Sequence, residues 1–215
     1  MIVDALVDYK HPVFVYIPPN AELRGGAWVV IDPTINEEVM EMYADVESRG
    51  GILEPPGICE VKFRAGDQVT KMHELDPVLV GLDADMKVAG SEEDEQALKK
   101  QIQAREEALL PMYLQVAHEF ADLHDRSGRM KSKGVVRDIL EWKGSREYFY
   151  WRVKRRLAEN EIRKMLKTAD PEMSFDEATE RLQELCPNWE DDKAVLSWTE
   201  GDQTALKAYL AGVGR

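Results

Sequence analysis

The chain has 215 residues, 44% of them apolar, enough for a sizeable core in one large domain or in a domain plus an extension. A formal net charge of −13 argues against general nucleic-acid binding. No run of about 18 apolar residues is present to span a membrane, and the first residues, MIVDALVDYK, lack the basic start of a signal peptide. Cys59 and Cys186 lie far apart, match no metal spacing, and read as reduced, buried thiols. The charge is uneven. Residues 126–167 hold 14 Lys and Arg against 5 Asp and Glu, so the rest of the chain carries −22. This basic segment reads as a solvated helical face rich in i,i+4 pairs, or as a surface facing an anionic partner.

In chain order, Ile2, Ala5, Leu6 and Tyr9 fall on one helical face with no capping residue before them. That pattern suggests a helix cut from something longer. VFVYI (13–17) is a continuous β-branched and aromatic run, expected as a buried strand, and Pro18-Pro19 stops it. Asn20 to Gly26 is expected as a loop. Ala27 to Ile31 suits either a strand or the start of a helix. MEMYA (40–44) is expected as a short strand, Arg49-Gly50-Gly51 as a turn, Ile52-Leu53 as a resumed strand, Pro55-Pro56-Gly57 as a turn, and CEVKF (59–63) as a last strand.

Further on, Leu75 to Lys87 reads as a weak helix or loop. Residues 92–124 form one long amphipathic helix that Pro111 should kink or split. Asp125 to Gly128 reads as a turn, and a second helical group runs from Gly134 to Asn160. Asp170-Pro171 breaks the chain, and Ser174 with Glu177 forms a capping box before FDEATERLQEL. Trp189 to Ala211 is expected as a helical, mostly acidic tail.

Several chemistries find no motif. His118 and His124 are six apart, so the histidines make no ligand face, and a metal site is not expected. No nucleophile elbow, Walker A or G-x-G-x-x-G sequence occurs. What remains is Arg24-Gly25-Gly26-Ala27-Trp28. Two glycines permit close backbone approach and let neighbouring N–H groups converge, as in an oxyanion hole. The arginine adds a fork shaped for a carboxylate. From spacing alone such a loop is more often a structural turn than a site.

The runs VFVYIPPNAELRGGAWVVIDPTIN, EMYADVESRGGILEPPG and EVKFR resemble the carboxyltransferase domain of eukaryotic-type multidomain acetyl-CoA carboxylase. So do LLPMYLQVAHEFADLHDRSGRM, KGVVRDILEWKGSREYFYWRVKRRL and NWEDDKAVLSW. The resemblance extends from about residue 2 to at least 200. It implies an α/β fold: a partial crotonase-like ββα spiral, then a long helical insertion and C-terminal helices. The expected divisions are 1–82 for the spiral core, 83–130 for the insertion, and 131–215 for the closing helices and tail, in one domain truncated at its N-terminus.

The resemblance also implies a biotin-dependent ligase in fatty acid biosynthesis. Its substrates would be carboxybiotin on a carrier domain and acetyl-CoA, its product malonyl-CoA, with no metal in this chain. The family works as a head-to-tail homodimer, and the partner would be the N-terminal carboxyltransferase subdomain of a second protomer, which holds coenzyme A. Carried over by position, Arg24 matches an arginine that binds a carboxylate near the reacting groups. Gly26 and Ala27 match the amides that hold the biotin ureido oxygen. Gly25, Trp28 and Glu54 lie near the biotin side, Trp28 and Glu54 being equally readable as core and turn residues. Basic residues 126–167 would lie beside coenzyme A phosphates of the partner, if not simply solvated. Two alternatives remain: a non-catalytic dimerisation or scaffold fragment of the same domain, and a carboxyltransferase for another acyl-CoA. The location implied is cytoplasmic, with a plastid open.

Overall fold

The computed structural model describes residues 2–201 and 203–213. Met1 and Asp202, which fall within the expected first segment and tail, lie outside the described residues, as do Gly214 and Arg215. The architecture is mixed α/β. The VFVYI run is strand β1 (Val13–Ile17), which lies parallel to β3 (Met40–Ala44), in register from Val13↔Met40 to Ile17↔Ala44. A two-residue strand, β5 (Asp138–Ile139), adds to the far side of β3, giving the order β1-β3-β5. All five residues of the central β3 are buried.

A smaller parallel pair joins β2 (Glu22–Arg24) to β4 (Arg49–Gly51). The winding is regular. β1 enters the larger sheet and β2 the pair, then β3 enters the sheet and β4 the pair. Asn20, with φ of 56°, makes the corner between β1 and β2, a left-handed position that asparagine tolerates. Ile17, Leu23, Met42, Ala44, Met130 and Val136 form the core of this part. Phe14 and Tyr16, pointing the other way from β1, stack on Phe149 and Trp142.

Two expected loop or turn stretches are strands. Residues 22–24 and 49–51 pair with each other, a partnership across 27 positions that no local pattern displays. Ala27 to Ile31 resolves on the helical side, with α2 at Gly25–Trp28. CEVKF is not a strand: it lies in helix α3 (Pro55–Lys62) and its cap. Pro55 and Pro56 occupy the first helical positions, where the missing N–H has no intrahelical partner to lose. Ile58, Cys59 and Phe63 then pack on Ala117 and Ala121 of α6.

Leu75 to Lys87 divides into the end of α4 (Ala65–Leu75) and α5 (Pro77–Val88). Asp76 separates them, accepting from the amides of Val78 and Leu79 as the cap of α5. The expected division at 82/83 falls inside α5. Helices α3, α4 and α5 all pack on α6 (Glu92–Asp125), which runs unsplit through Pro111. Residues 125–128 form a helix junction rather than a turn, with α7 starting at Ser127 (Ser127–Ser132).

The second long helix, α8 (Trp142–Ala169), starts later than expected because residues 138–139 are taken up in β5. Asp45 accepts from the Trp142 amide at 2.9 Å and fixes that start. Helices α9 (Phe175–Leu185), α10 (Asp192–Glu200) and α11 (Thr204–Val213) gather along α8 around Ile162, Leu166, Leu182 and Leu206. Ser174 and Glu177 form both halves of the capping box. Both cysteines are free and buried.

The solvated reading of the basic segment fails on one face of α8. Arg152, Arg155, Arg156 and Arg163 are all buried. Glu41 on β3, Glu159 on α8 itself and Asp192 on α10 pair with them. Lys131, Lys133, Arg137, Lys143 and Lys164 remain exposed.

Candidate active site

The chain leaves β2 and enters α2 without a conventional cap. Leu23 is buried and anchors the strand, and Arg24 keeps an extended backbone (φ −116°, ψ 161°) before the helix begins at Gly25. The Gly25 amide donates to the Ile52 carbonyl at 3.1 Å, carrying the β2–β4 pairing one step further. A Cβ at Gly25 would lie 3.1 Å from that same oxygen, a tight contact that favours glycine there.

Gly26 and Ala27 are the second and third helical residues, where N–H groups have no intrahelical acceptor. Ser, Thr, Asp or Asn at the preceding cap position would normally accept from them. Arginine has no acceptor atom, and the Arg24 side chain makes no cap hydrogen bond. Both residues are exposed, and the space beside Gly26 is open to 4 Å. Two neighbouring N–H groups at an exposed helix start thus have no side-chain cap, by the choice of residue at position 24.

A second Arg-Gly-Gly lies alongside the strand that leads into the first, with Glu22↔Arg49, Leu23↔Gly50 and Arg24↔Gly51 in register. Its glycines make room. A Cβ at Gly50 would fall 2.5 Å from Met130 Sδ and 2.7 Å from Trp28 Cζ3. One at Gly51 would fall 2.6 Å from Asp125 Oδ1.

Both arginines dock on the last turn of α6. Arg24 Nη1 donates to Asp125 Oδ2 at 2.5 Å and to the Leu53 carbonyl at 3.0 Å, while Nε and Nη2 donate to Glu22 Oε2 at 3.0 and 2.8 Å. Arg49 Nε donates to Asp122 Oδ1 at 2.7 Å, and Arg126 holds the other oxygen of Asp122. Burial works to lower the Arg24 pKa, but Asp125 and Glu22 outweigh it and raise it. The Arg49 hydrogen bond leads in holding Asp122 below the usual carboxylate range.

Asp122 and Asp125 escaped the sequence reading. A signal exists in principle: two acids one turn apart at the negative end of a 34-residue helix dipole are unfavourable unless cations meet them.

Beside Gly25 lies a groove of about 420 Å³, lined by Trp28, Val29, Ile52 and Met130, with exposed Arg129 and Lys133 also on its wall. Trp28 serves as both core and wall. It packs against the sheet core and donates from Nε1 to Asp32 Oδ2 at 2.8 Å. Burial raises the Asp32 carboxyl, but hydrogen bonds from Thr34 and Trp28 prevail and lower it. Of the expected site residues, Gly25 and Trp28 line the groove, while Arg24, Gly26 and Ala27 adjoin them in the chain without being among its described lining residues. Glu54 is exposed, caps α3 without a side-chain hydrogen bond, and is not among the groove's described lining residues.

Comparison with known proteins places this geometry in a family. The carboxyl transferase domain family matches residues 1–157. The chain is 49% identical over 206 residues to "Acetyl-CoA carboxylase, mitochondrial" of Saccharomyces cerevisiae (strain RM11-1a), covering 93% of the chain and 9% of that protein. It is 46% identical over 207 residues to acetyl-CoA carboxylase of Schizosaccharomyces pombe, with the same coverage. It is 51% identical over 175 residues to acetyl-CoA carboxylase of Dictyostelium discoideum, covering 80% of the chain and 8% of that protein. The chain thus spans about 9% of the length of the curated relatives it matches. The segment that carries both Arg-Gly-Gly sequences and the uncapped helix lies wholly within the family match, and the chain belongs to the carboxyl transferase domain family.

Proposed function

We propose that the chain forms one half of the carboxyltransferase site of a biotin-dependent acetyl-CoA carboxylase, moving a carboxyl group from carboxybiotin to acetyl-CoA to give malonyl-CoA. The observation that carries this reading is the helix start at Gly25–Ala27, left without a side-chain cap by Arg24 and flanked by Gly25 and Trp28, which line a groove. The groove's volume of about 420 Å³ suits a small-molecule site, and its apolar walls with few polar groups suit a ring such as biotin's. Bound there, carboxybiotin supplies an activated carboxyl group.

The residues of this chain bind and orient. Gly26 and Ala27 would hold the ureido oxygen, and fixed dipoles aimed at an oxygen that gains charge are an effective catalytic device. Trp28, locked by Asp32 and the core, would form one wall. Arg24 spends four of its five N–H donors on Glu22, Asp125 and the Leu53 carbonyl, leaving one on Nη2 for a substrate carboxylate. No side-chain nucleophile is needed for this arrangement to work.

The alternating entry of strands into the larger sheet and the smaller pair supports a partial crotonase-like ββα spiral. The coenzyme A half would come from the N-terminal subdomain of a second protomer, and the carboxyl from a biotin carrier domain. Met112, Val116, Phe120 and Leu123 support a covering partner: each is at least half exposed, and they form a stripe along α6 leading toward Asp125. The test is malonyl-CoA decarboxylation by this chain mixed with that subdomain and free biotin. Arg24→Ala should lower the rate about 100-fold or more while the fold is retained; an unchanged rate removes Arg24 and its turn from the site.

A further inference from the structure

A separate cavity of about 370 Å³ lies against β3, α8 and α9, and its lining includes Arg152, Arg155, Arg156, Arg163, Glu41 and Glu159. The four arginines are between 1% and 6% exposed. Their carboxylate partners are Glu41, Glu159 and Asp192, so four buried cations meet three anions.

The donor count is equally uneven. Four guanidinium groups carry twenty N–H donors. Among the described residues, ten hydrogen bonds are made, to Glu41, Asp192, Glu159, the Glu38 carbonyl, Asn160 and Thr179. Among the described residues Arg156 Nε is buried without a hydrogen-bond partner, its ion-pair neighbour Glu41 Oε1 lying 3.5 Å away. Burial chiefly, with repulsion from Arg156 and Arg152, lowers the Arg163 pKa despite its contact with Glu159.

A buried charge is costly unless paired, and a guanidinium does not escape by losing its proton. A purely structural network would reach neutrality with one further acid. Here exposed Glu37 and Arg137 also line the cavity and offset each other, so a surplus cation and several forks remain turned to a shared space. The forks are also held in place, since Trp189 covers the face of Arg155 at 4.3 Å and Phe175 that of Arg163 at 4.6 Å. Planar forks match the oxygen spacing of phosphoryl and carboxylate groups. We propose that this cavity binds a small polyvalent oxyanion, a phosphoryl compound or a polycarboxylate. Of the residues lining the groove beside Gly25, this cavity shares Val135 alone, and it stands or falls independently of the carboxyltransferase reading.

The experiment uses the full chain, with inorganic phosphate, pyrophosphate and tricarballylate titrated in separate arms by calorimetry and thermal unfolding, ionic strength being held constant with NaCl. Saturable binding in at least one arm with a matching rise in Tm is expected, and the responding arm tells phosphoryl from carboxylate chemistry. Arg156→Met removes the surplus charge and the unbonded Nε. It should weaken binding at least tenfold while the ligand-free Tm stays equal to or above that of the unsubstituted chain. Arg137→Gln changes an exposed lining residue outside the buried pairs. It should weaken binding several-fold with no loss of fold, and it decides the matter if Arg156→Met does not fold. Absence of saturable binding in every arm, or undiminished affinity in the folded variants, overturns the proposal.

Discussion

Replacing Glu41 with glutamine keeps the shape of the side chain and removes one charge from the centre of the arginine cluster. Glu41 is 8% exposed and accepts from Arg152 Nε at 2.9 Å, Arg152 Nη2 at 2.5 Å and the Tyr43 hydroxyl at 2.6 Å. Burial alone would raise its pKa. Arg152, Tyr43 and Arg156 overcome that and bring it from 4.5 to about 2. A depression of this size corresponds to about 3 kcal/mol of stability, at the lower edge of what breaking a buried ion pair removes. A depressed carboxylate contributes fully above its unfolded pKa, and the contribution is lost as pH falls through the folded value. Glu41→Gln should therefore be about 3 kcal/mol less stable at pH 7, and the gap should narrow between about pH 4.5 and 2. Urea unfolding over this range measures it. A loss below about 1 kcal/mol at pH 7, or one that does not change with pH, would refute the reasoning. The same variant raises the surplus charge of the cluster, so it should also tighten oxyanion binding.

Gly50→Ala should destabilise by about 1–3 kcal/mol through overpacking, since its Cβ meets Met130 and Trp28; near-ultraviolet circular dichroism should report the displaced indole. His73 bridges Glu106 at 2.8 Å and Asp83 at 2.7 Å, tying α4 to α6 and α5. Glu106 and then Asp83 raise its pKa. A raised imidazole contributes fully below its unfolded pKa of about 6.5 and loses the contribution as pH climbs through the folded value. His73→Gln should therefore cost about 1 kcal/mol or less at pH 6 and nothing by pH 9, as read by paired thermal unfolding.

The parts of the fold that were legible in the sequence are those specified locally. VFVYI marks β1 through β-branched and aromatic residues, the apolar spacing marks α6, and Ser174 with Glu177 marks the start of α9. The Pro55-Pro56 pair misled because prolines that end one element also open a helix, and what decides is packing on Ala117 and Ala121 some 60 positions away. The Arg-Gly-Gly-Ala segment was visible as a candidate site. Its distant support was not: Arg24 is held by Asp125 across 101 positions, and Arg152 by Glu41 across 111. A run of arginines looks the same in sequence whether it faces water or buried carboxylates.

The central claim is that the uncapped amides of Gly26 and Ala27 do the work of the site, and Arg24→Ser tests it most directly. Serine at a cap position accepts from the third helical N–H, here that of Ala27, which Arg24→Ala leaves free. The measurement is malonyl-CoA decarboxylation by each variant mixed with the N-terminal carboxyltransferase subdomain. The serine variant should be slower than the alanine variant, and both about 100-fold or more below the unsubstituted chain. A serine variant no slower than the alanine variant would contradict the account.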